Sequence, residues 1–165
     1  DYFHIIEMKT GALFAAATGI AASLSGVSDE VEQRLYDYGL KLGTAYQIYD
    51  DCLDLVGTES EVGKTLRTDL EKGKLTLPLL NLIEKADPAQ RDKLNKRIIE
   101  QQPLDLPVLI GIAEYEGAVE SALDTASAML NEAREDLEIL DEGEWRDGLV
   151  EITHYLEGLL NECRS

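Results

Sequence analysis

Apolar residues recur along this chain at intervals of three and four, the spacing that places side chains on one face of an α-helix. The clearest case is a segment that contains Leu123, Ala126, Leu130, Ala133 and Leu137. No stretch sustains the alternation of apolar and polar residues that is typical of a half-buried β-strand. The pattern therefore predicts an all-α protein built from a series of helices.

Glycine, proline and capping residues indicate where these helices begin and end. The polar, glycine-containing stretch 58–74 is expected to be a loop. The last helix is expected to bury Leu149, Ile152, Leu156 and either Leu159 or Leu160. The expected helices cover residues 2–24, 29–55, 77–85, 88–102 and 106–116, then a long helix that starts after Gly117 and stops at 141–143, and a last helix over 145–162.

An acidic triplet lies within an apolar part of the second helix. Asp50, Asp51 and Asp54 share this stretch with Gln47, and helical spacing places Gln47 on the same face as Asp54 and one of the paired aspartates. Taken alone, such a triplet is equally typical of a solvated helix surface. Its apolar neighbours favour a cavity, where like charges need a cation between them. Oxygen-only ligands then indicate a hard ion such as Mg²⁺.

Charge, apolar content and cysteine count limit the kinds of molecule that this chain can be expected to bind. The chain has 165 residues, 33 acidic against 15 basic, and a net charge of −18. Such a charge argues against nucleic acid and anionic membranes as partners. The apolar stretch 11–24 is short and rich in Ala and Gly, so we expect no stable membrane insertion. Two cysteines, Cys52 and Cys163, give no disulfide framework and fit a cytoplasmic location, with Cys52 as a packing residue.

Other charged and titratable residues are expected to be structural or solvated. His4 and His154 lie on separate helices without partner motifs, and we interpret both as packing or surface residues. A run of acidic residues near the end of the long helix is expected to form a solvated face. The run consists of Glu132, Glu135, Asp136, Glu138, Asp141, Glu142 and Glu144.

Cations cluster shortly after the acidic triplet, although the chain has few of them. Glycines next to two of the lysines free the backbone to wrap around a bulky group. Lysine is a mobile point charge suited to a phosphate that Mg²⁺ already bridges. Lys9, upstream on an apolar helix, would alone be read as a side chain that extends to water. The cluster consists of Lys64, Arg67, Lys72 and Lys74.

These segments together resemble the C-terminal half of an all-trans polyprenyl diphosphate synthase. The resemblance is carried by Lys9-Thr10 before an Ala-rich helix, by Gly43-x-x-Tyr46-Gln47-x-x-Asp50-Asp51-x-x-Asp54, by Gly63-Lys64, and by Asp69-Leu-x-x-Gly73-Lys74-x-Thr76-Leu77-Pro78. Their order and spacing are similar to the family's throughout. The resemblance implies an all-α bundle of the isoprenoid synthase type, of which residues 1–165 would form the C-terminal part of a single domain.

The resemblance also implies roles for individual residues. Asp50 and Asp51, with Asp54 acting through water or a neighbouring group, would hold Mg²⁺ against an allylic diphosphate. Lys9 and Lys64 would contact that diphosphate, and Lys74 would line the site. Thr10 and Gln47 would stabilise positive charge on the reacting carbon, which isopentenyl diphosphate attacks. Tyr46 stands where many family members carry Phe.

The family's first aspartate-rich motif and its isopentenyl diphosphate-binding basic residues are absent from these 165 residues. We therefore expect a fragment of a homodimeric enzyme that is inactive, or nearly so, by itself. Two alternatives remain open. One is a terpene cyclase of the same fold, which the context of Lys64 and Gly73-Lys74 disfavours. The other is a non-catalytic subunit of a heteromeric synthase, although a pure scaffold has no need of buried like charges.

Overall fold

The structure is a computed structural model that describes residues 1–57, 69, 72–100, 102, 104, 106–112 and 115–164. Every regular element within these ranges is helical, which confirms the predicted all-α class. The helices are α1 (Tyr2–Ile6), which continues through a π-helical segment (Glu7–Gly11) into α2 (Ala12–Leu24), then α3 (Asp29–Val56), α4 (Leu77–Lys85), α5 (Pro88–Ile99), α6 (Leu106–Ile110), α7 (Tyr115–Asp136), a 3-10 turn (Leu137–Ile139) and α8 (Glu144–Cys163).

Most helix ends agree with the capping residues in the sequence. Gly26 follows α2 with φ of 68°, a left-handed conformation that glycine adopts without strain. Asp87 caps α5 through a reciprocal pair of hydrogen bonds with Gln90. The predicted break at Gly117 is wrong, because Gly117 lies inside the first turn of α7. A glycine there costs helix stability only about 1 kcal/mol, which neighbouring burial overrides. The predicted loop over 58–74 lies largely outside the described residues.

Contacts divide the chain into two compact units. The first consists of 1–47 and 125–163. Its core includes the predicted apolar face of α7, with Ala126, Leu130 and Ala133 fully buried. Tyr38 is also buried, and its hydroxyl donates to the Leu149 carbonyl over 2.9 Å. Burial raises the pKa of Tyr38 to about 12, because the phenolate would lose its hydration.

Two expectations about this first unit are wrong. Asp136, placed by the sequence in a solvated acidic face, is buried and paired with Arg34 at 2.9 Å and Lys41 at 2.5 Å. Both cations come from α3, and they supply the charge and hydrogen bonds that a buried carboxylate needs. Ile152 on α8 was expected in the core but is 48% exposed, and Thr153 beside it is fully buried instead.

The second unit consists of 48–124 and 164. Leu79, Leu82 and Leu94 from α4 and α5 form part of its core. The Arg91 guanidinium donates to the carbonyls of Ile83, Glu84 and Ala86, which lie at the C-terminal end of α4 and would otherwise lack helical partners.

The first helical run is longer than the apolar stretch 11–24, from which no stable membrane insertion was expected. It extends without interruption over Tyr2–Leu24, and by length and composition alone it could cross a membrane. Of the helices that the structure describes, it is the one that meets this criterion. The core helix of a soluble protein and a signal sequence meet the same criterion, so the finding is weak evidence for a membrane span.

Candidate functional site

A close helix contact positions the Lys9-Thr10 segment in the first unit. A Cβ on Gly43 of α3 would lie 2.9 Å from the Cα of Gly11, and a Cβ on Gly11 would lie 2.8 Å from the Thr44 hydroxyl oxygen. Only glycine allows two helix backbones to approach this closely. The contact holds the π-helical segment against α3, next to the turn that carries Gln47. π-Helical segments of this kind are often found at functional sites.

Thr10 and Gln47 are joined by a direct hydrogen bond. The Thr10 hydroxyl donates to Oε1 of Gln47 over 2.7 Å, and Gln47 is only 5% exposed. Thr10 is half-buried, whereas Lys9 is exposed. The bond fixes the orientation of a buried amide. The structure thus brings together two of the residues that the sequence predicted as site residues.

The acidic triplet lies on α3 in the second unit, and most of it is buried. Asp51 is 5% exposed and Asp54 is 6% exposed, while Asp50 is half-buried. This excludes the interpretation of the triplet as an ordinary solvated surface. Two carboxylates three residues apart in a helix are neighbours, and burial of both concentrates negative charge.

Asp69 links the triplet to the basic segment that follows it. The backbone N–H of Asp69 donates to Oδ2 of Asp54 over 3.1 Å. The Lys74 ammonium donates to Oδ1 of Asp69, and the Lys74 backbone N–H donates to the Asp69 carbonyl over 2.9 Å. Gly73, with φ of 66°, makes the left-handed turn that directs Lys74 back towards Asp69. Asp69 belongs to one of the motifs that resemble the family, but no role was predicted for it from the sequence.

The carboxylates around Lys74 favour its charged form. The pKa of Lys74 is raised above its ordinary value of 10.5, chiefly by the hydrogen bond to Asp69. Desolvation is the next-largest effect and opposes the rise, while the charges of Asp69, Asp51 and Asp54 add to it. Lys74 therefore carries a positive charge at physiological pH and lies within the field of the buried aspartates.

The donor set of this cluster suits Mg²⁺. Its side chains offer carboxylate oxygens, and the neighbouring Cys52 is fully buried. Among the described residues, no three His, Cys, Asp or Glu side chains are gathered closely enough to enclose a metal ion. Mg²⁺ in phosphate-transferring sites is commonly held by one or two carboxylates, with water and substrate oxygens completing its shell. The cluster fits that mode of binding rather than a closed protein cage.

Other predicted positions lie elsewhere. Lys64 falls outside the described residues, and so does Arg67. His4 and His154 are exposed, as expected for surface residues.

A cavity of about 480 Å³ that was not predicted from the sequence lies in the second unit. Lys93, Lys96 and Arg97 of α5 line it, together with Glu100 and the buried Leu94. The twelve-residue helix α5 contains four basic residues, three of which line the cavity, and this concentration of positive charge in so acidic a chain is the sequence signal for it.

Comparisons with known proteins show which family contains these segments. The family model described as polyprenyl synthetase matches residues 1–108. These residues include the Lys9-Thr10 segment, the acidic triplet and Lys74. The chain belongs to the polyprenyl synthetase family. In the all-α fold and in the identity of the family, the resemblance inferred from the motifs is therefore confirmed.

Alignment with individual relatives shows what share of their length this chain covers. It is 35% identical over 156 residues to the short chain isoprenyl diphosphate synthase of Methanothermobacter thermautotrophicus, covering 94% of this chain and 48% of that protein. It is 32% identical to heptaprenyl diphosphate synthase component 2 of Bacillus subtilis, covering 94% of this chain and 44% of that protein. The chain thus spans about half the length of these relatives.

A solved structure agrees with the fold. The polyprenyl synthase of Caulobacter crescentus, crystallised in complex with calcium and isoprenyl diphosphate, is 33% identical and superposes with a TM-score of 0.84. The superposition covers 94% of this chain and 48% of the other.

Proposed function

We propose that this chain provides the allylic diphosphate-binding part of a prenyltransferase that elongates trans-polyprenyl diphosphates. The observation that carries the proposal is the burial of Asp51 and Asp54 on α3. Hydrogen bonds through Asp69 connect Asp54 to Lys74. Buried like charges beside a positively charged lysine suit a magnesium diphosphate, in which cation and anion charges both need partners. Membership of the polyprenyl synthetase family supports the same assignment.

Each residue has a defined task in this proposal. Asp50, Asp51 and Asp54 would hold Mg²⁺, which neutralises negative charge on the diphosphate when it is bound. Lys9, Lys64 and Lys74 would contact the diphosphate oxygens.

Thr10 and Gln47 would act on the hydrocarbon side. The C–O bond of the allylic diphosphate breaks, and the electron pair leaves with the diphosphate. The side-chain dipoles of Gln47 and Thr10, held in place by their mutual hydrogen bond, would stabilise the allylic cation. The double bond of isopentenyl diphosphate then attacks the cation, and the proton that is lost goes to the released diphosphate. This sequence requires no protein nucleophile.

The organisation of the whole enzyme belongs to the proposal as well. We propose a cytoplasmic homodimer without stable membrane insertion. The similarity to a protein named component 2 of a heptaprenyl diphosphate synthase keeps a heteromeric assembly as the second candidate. Sedimentation of the purified protein at several concentrations separates a homodimer from a chain that needs a different partner.

The diphosphate proposal is tested by isothermal titration of the 165-residue chain with geranyl diphosphate, with and without Mg²⁺. We expect binding that requires Mg²⁺. Asp51→Asn keeps the size of the side chain and removes its charge, so it should weaken binding by about tenfold or more.

Asp92→Asn is the matched control, because it makes the same substitution at an exposed position on α5. It should bind like the unmodified chain. Equal binding with and without Mg²⁺, or equal losses in both variants, would contradict the proposal. Circular dichroism of both variants checks that the helices remain intact.

A further inference from the structure

The cavity beside α5 in the second unit gathers positive charge that the proposed function does not use. Its volume of about 480 Å³ is within the range of small-molecule sites in proteins. Lys93, Lys96 and Arg97 line it, and their spacing of three and four residues places them on one face of α5. Because the chain has only 15 basic residues against 33 acidic ones, three cations around one cavity form a local exception to its charge.

The cations of this cavity are only partly balanced by the protein. Glu100 is the acidic residue among those that line it. Its Oε1 lies 3.9 Å from Nζ of Lys96, and its Oε2 accepts a hydrogen bond from Nε2 of Gln102 over 2.8 Å. The side chains of Lys96 and Glu100 are 73% and 43% exposed, so their ion pair is weak. Three cations and one carboxylate leave two positive charges in excess, which an anion would balance.

The cavity also has an apolar wall. Leu94 of α5 and Ile112, which follows α6, are buried residues of this wall, and the half-buried Val108 of α6 completes it. Small-molecule sites typically combine apolar surface with a few polar groups that fix the orientation of the ligand. An inorganic anion would leave the apolar wall in contact with water, whereas a ligand with a hydrocarbon group would cover it. The cavity therefore suits a ligand that is anionic at one end and apolar at the other.

We propose that this cavity binds a phosphate monoester with a short apolar group, without a metal ion. A phosphate monoester carries about 1.5 to 2 negative charges at neutral pH, which matches the two excess positive charges of the lining. Arg97 offers a planar fork of donors, and the two lysines are point charges suited to phosphate oxygens. A diphosphate ester carries more negative charge than this lining balances. The site is separate from the cluster of Asp51, Asp54 and Lys74 and goes beyond the proposed function.

A soluble ester and the headgroup of an anionic lipid share this phosphate chemistry. The net charge of −18 opposes the approach of the chain to an anionic membrane surface. A small dianion instead reaches the three cations at distances within a Debye length, where their local attraction is felt most strongly. A soluble ester is therefore the favoured ligand.

Isothermal titration of the 165-residue chain with hexyl phosphate, in EDTA at pH 7, tests the proposal. Binding should be one-to-one, and inorganic phosphate should bind about tenfold more weakly or less, because it leaves the apolar wall uncovered. Lys93→Gln removes one cation of the lining and should weaken binding of hexyl phosphate by about tenfold. Lys72→Gln is the matched control, since Lys72 is also exposed but does not line the cavity, and it should leave binding unchanged.

Chemical-shift mapping with hexyl phosphate locates the bound ester. The largest shifts are expected at Lys93, Arg97 and Gly111, which all line the cavity. Asp51→Asn should bind hexyl phosphate like the unmodified chain. Because both lysines are exposed, both lysine variants should fold, which circular dichroism verifies.

Four results would overturn the proposal. The first is the absence of binding, and the second is equal affinity for hexyl phosphate and inorganic phosphate. The third is an equal effect of Lys93→Gln and Lys72→Gln, or a loss of binding in Asp51→Asn. The fourth is binding to vesicles of phosphatidylcholine and phosphatidic acid that Lys93→Gln abolishes, which would identify a membrane lipid as the ligand. The titration contains no free Mg²⁺, so failure of this proposal is distinguishable from failure of the proposed function.

Discussion

At the scale of single residues, Asp69 connects Asp54 of the acidic triplet to Lys74. Its backbone N–H binds Asp54 and its carboxylate binds Lys74. Removal of the charge by Asp69→Asn should lower the pKa of Lys74 towards 10.5, because the main cause of the raised value is lost. The measurement is an NMR titration of the Lys74 ε-carbon. An unchanged pKa would show that Asp69 does not hold the lysine, and Asp92→Asn should have no effect.

The same interaction has a defined pH dependence. Since the pKa of Lys74 is higher in the folded state, its interaction with Asp69 contributes fully below pH 10.5. The contribution is lost as the pH rises through the raised pKa. The Lys74–Asp69 contact is therefore intact across the physiological range.

Motifs predicted which candidate residues share a helix better than they predicted the surroundings of charged residues. The spacing of Gln47, Asp51 and Asp54 predicted a shared helix, and α3 contains all three. Asp136 could not be placed in the same way, because its burial depends on Arg34 and Lys41, which lie about a hundred residues earlier in the sequence. A local charge pattern contains no information about such a distant partner.

At the level of helices, the packing of α2 against α3 depends on Gly39. A Cβ there would lie 2.6 Å from the Phe14 carbonyl oxygen and would also meet the Thr18 hydroxyl. Gly39→Ala should therefore lower the free energy of unfolding by about 1–3 kcal/mol, because the helices must move apart. Urea denaturation measures the change.

Gly148→Ala is the matched control for this prediction. Gly148 lies in α8, where an added Cβ meets open space. The substitution should raise the free energy of unfolding by about 0.5–1 kcal/mol, since alanine favours the helix. Equal effects at the two positions would contradict the proposed close packing of α2 on α3.

The sequence predicted where helices start more reliably than it predicted which side of each helix is buried. Capping residues located the starts of α3 and α5. The face of α8 was partly mistaken, because Ile152 is exposed while the neighbouring Thr153 is buried, with its hydroxyl bonded to the Val150 carbonyl and to Arg134. Periodicity assigns the apolar side to the core, but a threonine with satisfied hydrogen bonds can be buried equally well. The π-helical segment also has no simple sequence pattern.

At the level of the whole molecule, two places are candidates for binding an anion. We propose the cluster of Asp51, Asp54 and Lys74 as the place where a diphosphate would bind with Mg²⁺. The alternative is the cavity lined by Lys93, Lys96 and Arg97 of α5, where the cations would attract an anion directly. The central claim of this account is that a magnesium diphosphate binds at the first of these places.

Chemical-shift mapping of the ¹⁵N-labelled chain tests that claim most directly. Magnesium geranyl diphosphate should shift the amides of Asp51, Asp54 and Lys74 most strongly, and omission of Mg²⁺ should remove these shifts. The largest shifts at Lys93 and Arg97, or shifts that do not depend on Mg²⁺, would contradict the account.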